Sequence, residues 1–198
     1  MAKPHVTILL PGYHLFGQER ALINLAEILR GEGMHVSILL HHTFGKKNLS
    51  GYLKDRGFPV FFLPFNTIWS LSLLLKNPLD AIKNIYGIFS SSRVFSKLVE
   101  RYKIDVLIAG NWSFGFYLLP ALYRHRIGLI YRHGDAPPVS NITARFIAKS
   151  LFRRASIHVA NCDFLEGKLK SYMEVDDVRV VRNYPLKVKK SGLVSTDD

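Results

Sequence analysis

Residues 5–40, HVTILLPGYHLFGQERALINLAEILRGEGMHVSILL, decide the fold. Residues 6–10 are a short, partly β-branched apolar run that stops at Pro11 and Gly12, the pattern of a strand buried on both faces. From Arg20 the period changes. Leu22, Ile23, Leu25, Ala26, Ile28 and Leu29 make one helical face, while Glu19, Arg20, Asn24, Glu27 and Arg30 fall on the wetter side. Gly31 and Gly33 end the helix, and residues 36–40 form a second apolar run. The unit reads as strand, helix, strand, with the loop 11–18 at the carboxyl end of its first strand, where sheets of this kind bind ligands.

The same rhythm continues outward. Strands are expected at 58–63, 104–109, 127–131, 157–160 and 178–181, and helices at 49–56, from about Ile68 through Arg101, and at 114–125, 143–154 and 163–172, the last capped by Asn161 or Asp163. Strands alternating with helices, without internal repeats, give an α/β fold built on a doubly wound parallel sheet of about seven strands. Residues 1–186 are read as one Rossmann-like domain, and the polar, aperiodic stretch 187–198 as a disordered tail.

The chain has 198 residues, of which 48% are hydrophobic, enough for a sizeable core. Cys162 is the single cysteine, so no internal disulfide can form, and a reducing compartment fits best. Met1-Ala2-Lys3-Pro4 leads straight into the first strand without the order of a signal peptide, and a cytoplasmic protein is expected. The net charge of +12 favours anionic partners. Zinc-finger spacing, an aromatic RNP-type strand and a Gly-x-x-Gly clamp are all missing, so no specific nucleic-acid partner is expected.

Residues 58–75, FPVFFLPFNTIWSLSLLL, are the most apolar window. Pro59, Pro64 and Asn66 break helical continuity, which argues against a membrane span. Two readings stay open for the segment around Trp69 and the basic helical region after it: a core helix flanked by solvated charges, or a surface lying on an anionic bilayer. His41 and His42 are strand neighbours that point to opposite faces, with no third ligand in register, and Asp176-Asp177 reads as a solvated turn; no metal requirement is expected.

Several activities are disfavoured by missing motifs. Gly-x-Gly-x-x-Gly does not follow the first strand, and no acidic residue ends the second, which removes a dinucleotide-dependent hydride transfer. Gly-x-x-x-x-Gly-Lys-Ser/Thr and Gly-x-Ser-x-Gly are missing too.

What is present is GQERALINLAEILRGEGMHVSIL, and it resembles the family 4 glycosyltransferases of the GT-B fold, whose first loop and helix carry Gly-Gly-x-Glu-Arg and then Gly-His-x-Val. Gly17, Glu19 and Arg20 match; Phe16 stands in place of the first glycine, and His35 falls one place late. The resemblance continues at IDVLIAGNWS, at the strand ending in His133, at FRRASIHVANCDFLEGKL and at VRVVRNYP, and so spans nearly the whole chain.

The resemblance implies the N-terminal, acceptor-side domain of a retaining glycosyltransferase that moves a sugar from a sugar nucleotide to a glycan or lipid-linked acceptor of the cell envelope. No cofactor is implied beyond the donor substrate. Gly12, Phe16, Gly17, Gln18 and Glu19 would form the diphosphate loop, where backbone N–H groups at a helix N-terminus offset developing negative charge. The other reading of the motif is a tight turn at Gly17 and a solvated first turn at Glu19 and Arg20.

His133 would face the donor sugar as the catalytic-site histidine, positioning hydroxyls rather than acting as base, against a plain alternative of a ring bonded to a loop carbonyl. Asn111 and Trp112, leaving the fourth strand, would hold the acceptor. The family's second domain, with its Glu-x7-Glu element and charge-offsetting Arg and Lys, has no counterpart in these residues. The chain is thus expected to be incomplete and inactive alone, with a second chain carrying the donor domain as one way to complete it. The alternative is a noncatalytic doubly wound binding module for an anionic ligand or a protein partner.

Overall fold

The computed structural model describes residues 3–10, 17–41, 49–64, 78–134, 142–175 and 177–182. The first unit forms as the sequence directs: β1 (His5–Leu9), α1 (Gly17–Gly31) and β2 (His35–His41). Then follow α2 (Leu49–Asp55), β3 (Val60–Leu63), the long α3 (Pro78–Tyr102), β4 (Val106–Ala109), α4 (Trp112–Phe116), α5 (Leu119–Arg124) and β5 (Gly128–His133). The last elements are α6 (Ile142–Phe152), β6 (Ile157–Ala160), α7 (Asp163–Met173) and β7 (Val178–Val180).

All seven strands are parallel and lie in the order β3-β2-β1-β4-β5-β6-β7. Ile8 pairs with Ile38 on one side and Ile108 on the other, so β1 is central. The order reverses direction between β1 and β4, and the crevice above that point is where a doubly wound sheet receives ligands. Alternate residues feed two cores. Ile8, Ile38, Leu40 and Ile108 pack beneath α1 and α2 with Leu22, Ala26 and Leu53, while Leu9, Leu39, Leu107 and Leu129 meet Phe95, Leu122, Leu151 and Leu169 on the opposite face. Because helices cover both faces, the strands read as continuous apolar runs. Thr7 and Ser37, fully buried among them, pair their hydroxyls at 2.9 Å.

Local chemistry explains where the elements depart from the sequence reading. The expected helix 114–125 is two helices. Asn111 caps α4 through its Oδ1, which accepts from the backbone N–H of Ser113 (3.0 Å) and of Phe114 (3.1 Å) and so starts the helix early. Pro120 then opens α5; it lacks an N–H and its ring would clash with a preceding turn, so it belongs in a first turn and not in mid-helix.

Strand β3 starts two residues later than expected, because Phe58 N–H bonds Leu53 O and Gly57 N–H bonds Lys54 O, with Gly57 at φ +75°. Gly33 at φ +77° closes α1 with the same pair of bonds, and this motif needs a left-handed residue. The cap expected for α7 is corrected: its N-cap is Cys162, which makes no side-chain cap bond. Asp163 sits in the first turn and pairs with Arg182 at 2.9 Å, whereas Asn161 donates to the carbonyl of Gly134 at 3.4 Å. Trp69 and its neighbours, Asp176 and the stretch 187–198 lie outside the described residues. Among the described residues, no helix is long and apolar enough to cross a membrane.

Candidate functional site

The site is assembled from strand ends. Helix α1 starts at the carboxyl end of β1, and its first turn leans across the switch point: Gln18 Nε2 donates to the carbonyl of Gly110, just beyond β4, at 2.6 Å. Gly134, just beyond β5, lies against the same side chain. A Cβ on Gly134 would fall 2.7 Å from Gln18 Cδ, and one on Gly110 would fall 2.9 Å from Gln18 Nε2 and 3.0 Å from Leu22 Cδ1. At both glycines a side chain would push against Gln18, so their lack of a Cβ lets that side chain lie against the β4 and β5 exits. Asn161, beyond β6, donates to Gly134 O, so the exits of β4, β5 and β6 and the start of α1 are tied together. Gly110 and Gly134 were not singled out from sequence, and Asn161 only as a helix cap, although glycine directly after two successive strands was the available signal.

Of the expected diphosphate loop, Gly12 and Phe16 lie outside the described residues. Gly17 is the first residue of α1. An added Cβ there meets no described atom within 4 Å, and the turn that would precede it lies outside the described residues. Glu19 is buried at 5% exposure while Arg20 is exposed, which corrects the picture of both as one solvated first turn. The first turn of α1 is thus packed and bonded on its inner side, and among the described residues nothing lies within 4 Å of a Cβ on Gly17.

His133 ends β5 beneath this crevice, not open in it. It is 2% exposed, with Tyr131 and Phe152 at ring-centroid distances of 4.4 and 4.8 Å, and its Nε2 meets His158 Nδ1 at 3.1 Å. Its Nε2 partner is therefore another imidazole, and the loop 135–141 that could supply a carbonyl lies outside the described residues. Burial, and then the neighbouring His158, push its pKa down to about 3, so the expectation of a group that titrates near neutrality is corrected. Both rings are neutral at pH 7, and one nitrogen of the pair must be the N–H donor. His158 is also lowered, chiefly by burial, against the raising effects of the Phe152 backbone bond and Asp177.

Asn111 spends its carbonyl oxygen on the α4 cap and on the Ser113 hydroxyl at 2.6 Å, and Trp112 packs partly against the main core. Both stand beside Gly110 at the exit of β4. Arg132 on β5 is a buried guanidinium, its pKa lowered by burial, that the sequence reading left out. His41 is buried at the end of β2 and stacks on Phe114 at 6.2 Å, and among the described residues no group of three His, Cys, Asp or Glu is placed to hold a metal ion.

This fold and crevice define a Rossmann-like domain of the GT-B type, one of the two that such enzymes combine. The chain belongs to Glycosyltransferase Family 4, which matches residues 17–184. Among solved structures it is similar to Acinetobacter baumannii MurG (TM-score 0.62, 18% identity, 92% of this chain and 46% of that one). It is also similar to Anabaena HepE in complex with UDP-glucose (TM-score 0.65, 17% identity, 90% and 43%) and to the sucrose-phosphate synthase of Thermosynechococcus elongatus (TM-score 0.68, 12% identity, 91% and 48%). At these identities the likeness is one of fold, and the chain spans about half the length of these structures. Among curated proteins, none matches the sequence.

Proposed function

We propose that this chain is the acceptor-side domain of a retaining glycosyltransferase, which uses a sugar nucleotide to glycosylate a glycan or lipid-linked acceptor at the cytoplasmic face of an envelope membrane. The observation that carries the reading is the first turn of α1 in a chain of this family. Gln18 bonds it to the β4 exit and packs on the β5 exit, and among the described residues nothing lies within 4 Å of a Cβ on Gly17. A departing nucleoside diphosphate needs N–H donors that are already oriented, and a helix start held on its inner side supplies them without reorganisation. UDP-glucose in the similar HepE structure supports a nucleotide sugar as donor.

In this reading Asn111 and Trp112 border the acceptor, while the neutral pair His133 and His158 supports the floor of the crevice and passes no proton to substrate. The nucleotide is gripped by a second Rossmann-like domain, on the same or another polypeptide. No metal is required, since the diphosphate charge is met by N–H groups and cationic side chains.

The test is transfer from a panel of sugar nucleotides, by residues 1–198 alone and together with a donor domain, with the anomeric configuration of the product read by NMR. Transfer with retention only in the two-domain protein is expected. Gly17→Val should then lower kcat by roughly 30- to 1000-fold, its side chain keeping the diphosphate from one charge-stabilising N–H at about 2–4 kcal/mol, with the fold intact because its Cβ meets no described atom. Unchanged kinetics in Gly17→Val would remove the loop from the mechanism, and inversion would refute the retaining assignment.

A further inference from the structure

Helix α3 carries an exposed stripe that changes character halfway along. Ile82, Ile85, Tyr86 and Phe89 are 55–73% exposed and recur at the three- and four-residue spacing of one helix face. The same stripe continues into Arg93 and Lys97, one and two turns beyond Phe89. There α3 and α5 enclose a groove of about 470 Å³, in which Arg124 joins Arg93 and Lys97 opposite a single acid, Glu100, itself 3.9 Å from His125. Ser92 also lines the groove. It is 5% exposed, and its buried hydroxyl has no hydrogen-bond partner among the described residues. A buried hydroxyl without a partner is costly, and the three cations that line the same groove attract an anionic group.

We infer that the α3–α5 face is a docking site for an anionic phospholipid bilayer, with a headgroup phosphate in the groove formed by Ser92, Arg93, Lys97 and Arg124, and Ile82, Ile85, Tyr86 and Phe89 in the interfacial layer. The end-to-end order of apolar and basic halves on one helix fits an amphiphile: aliphatic and aromatic groups belong at the acyl boundary, and guanidinium and ammonium groups at headgroup level. A soluble phosphate would use the groove and leave the apolar half unexplained. An acidic protein would meet the same cations, but a partner whose charge and apolar region adjoin in this way is what a bilayer surface provides. The chain's net charge of +12 adds long-range attraction to such a surface. This deepens the membrane-side role proposed above and rests on that reading for its setting; its readout is lipid binding, so it can fail or stand independently of sugar transfer.

The experiment is flotation of the 198-residue chain with vesicles of phosphatidylcholine alone and of equimolar phosphatidylcholine and phosphatidylglycerol. Flotation with the anionic vesicles only is expected, weakening as salt rises. Arg93→Glu/Lys97→Glu/Arg124→Glu should weaken partitioning by at least about 100-fold, at roughly fivefold for each basic side chain lost, before the repulsion of the new carboxylates is counted. Lys54→Glu/Arg153→Glu/Arg179→Glu, exposed positions away from this face, make the same charge change and should weaken it far less. Tyr86→Ser/Phe89→Ser should leave binding that moderate salt abolishes.

Equal loss in both charge-reversed triples would reduce the effect to net charge and overturn the site. Binding that survives the groove triple would move the contact elsewhere on the chain and overturn it as well. Flotation on neutral vesicles to the same extent, or on neither kind, would do so too. Saturable protection of the groove by soluble glycerol phosphate without flotation would replace the bilayer with a soluble ligand.

Discussion

The buried pair His133 and His158 makes stability depend on pH in a calculable way. An imidazole in the unfolded chain takes up a proton near pH 6.5, whereas His133 in the folded protein does so only at about 3, because charging it means burying a cation among Tyr131, Phe152 and a second imidazole. Between those values the unfolded state holds the extra proton. The stability associated with neutral His133 is therefore complete above the unfolded value and is lost as pH falls.

Integrated from about pH 7 to about pH 4, at 1.36 kcal/mol per pKa unit, this one group removes about 3 kcal/mol. His158, also lowered, acts in the same direction, while Asp177 opposes it. The perturbation is His133→Phe, which keeps an aromatic ring against Tyr131 and Phe152 and removes the titration. At neutral pH the variant should be within about 1–3 kcal/mol of the wild type, the cost being one lost hydrogen bond to His158. At pH 4 the gap should close or reverse. Urea unfolding followed by circular dichroism across this range, at constant ionic strength, measures it. A wild-type minus variant difference that stays constant with pH would refute the argument, because it would mean that His133 charges alike in the folded and unfolded chain.

Gly134→Ala should destabilise the domain by about 1–2 kcal/mol, since the new Cβ displaces Gln18 and breaks its bond to Gly110 O; in a Gln18→Ala background the same change should cost much less, and a double-mutant cycle of urea midpoints with no coupling would contradict the contact. Asn111→Ala should cost about 1 kcal/mol through loss of the α4 cap, with Asn111→Asp restoring it; thermal unfolding checks both, and equal loss in Ala and Asp would mean that capping is not what the side chain contributes.

The α/β class and the position of the crevice at the carboxyl edge of the strands were written into local pattern. Residues 5–40 specify strand, helix and strand because a buried parallel strand must be apolar throughout, while a covering helix must be apolar on one side only, and these periods are legible without neighbours. Strand 157–160 was placed to the residue for the same reason. That α1 starts at the carboxyl edge also followed from sequence, since a loop between a parallel strand and its crossover helix can lie only there, although the helix begins at Gly17, inside the expected loop 11–18.

Other features depend on contacts distant in the chain. That Glu19 is buried, that Gln18 reaches Gly110 ninety-two positions away, and that two glycines make room for it follow from how β4 and β5 are set beside β1. No periodicity encodes that. His133 illustrates the limit most clearly: as a residue type it titrates near neutrality, and only the packing of Phe152 and His158 against it, from elements 19 and 25 residues further on, makes it a neutral ring in the floor of the crevice. Burial and partner, not residue identity, set those properties, and both exist only once the strands are ordered.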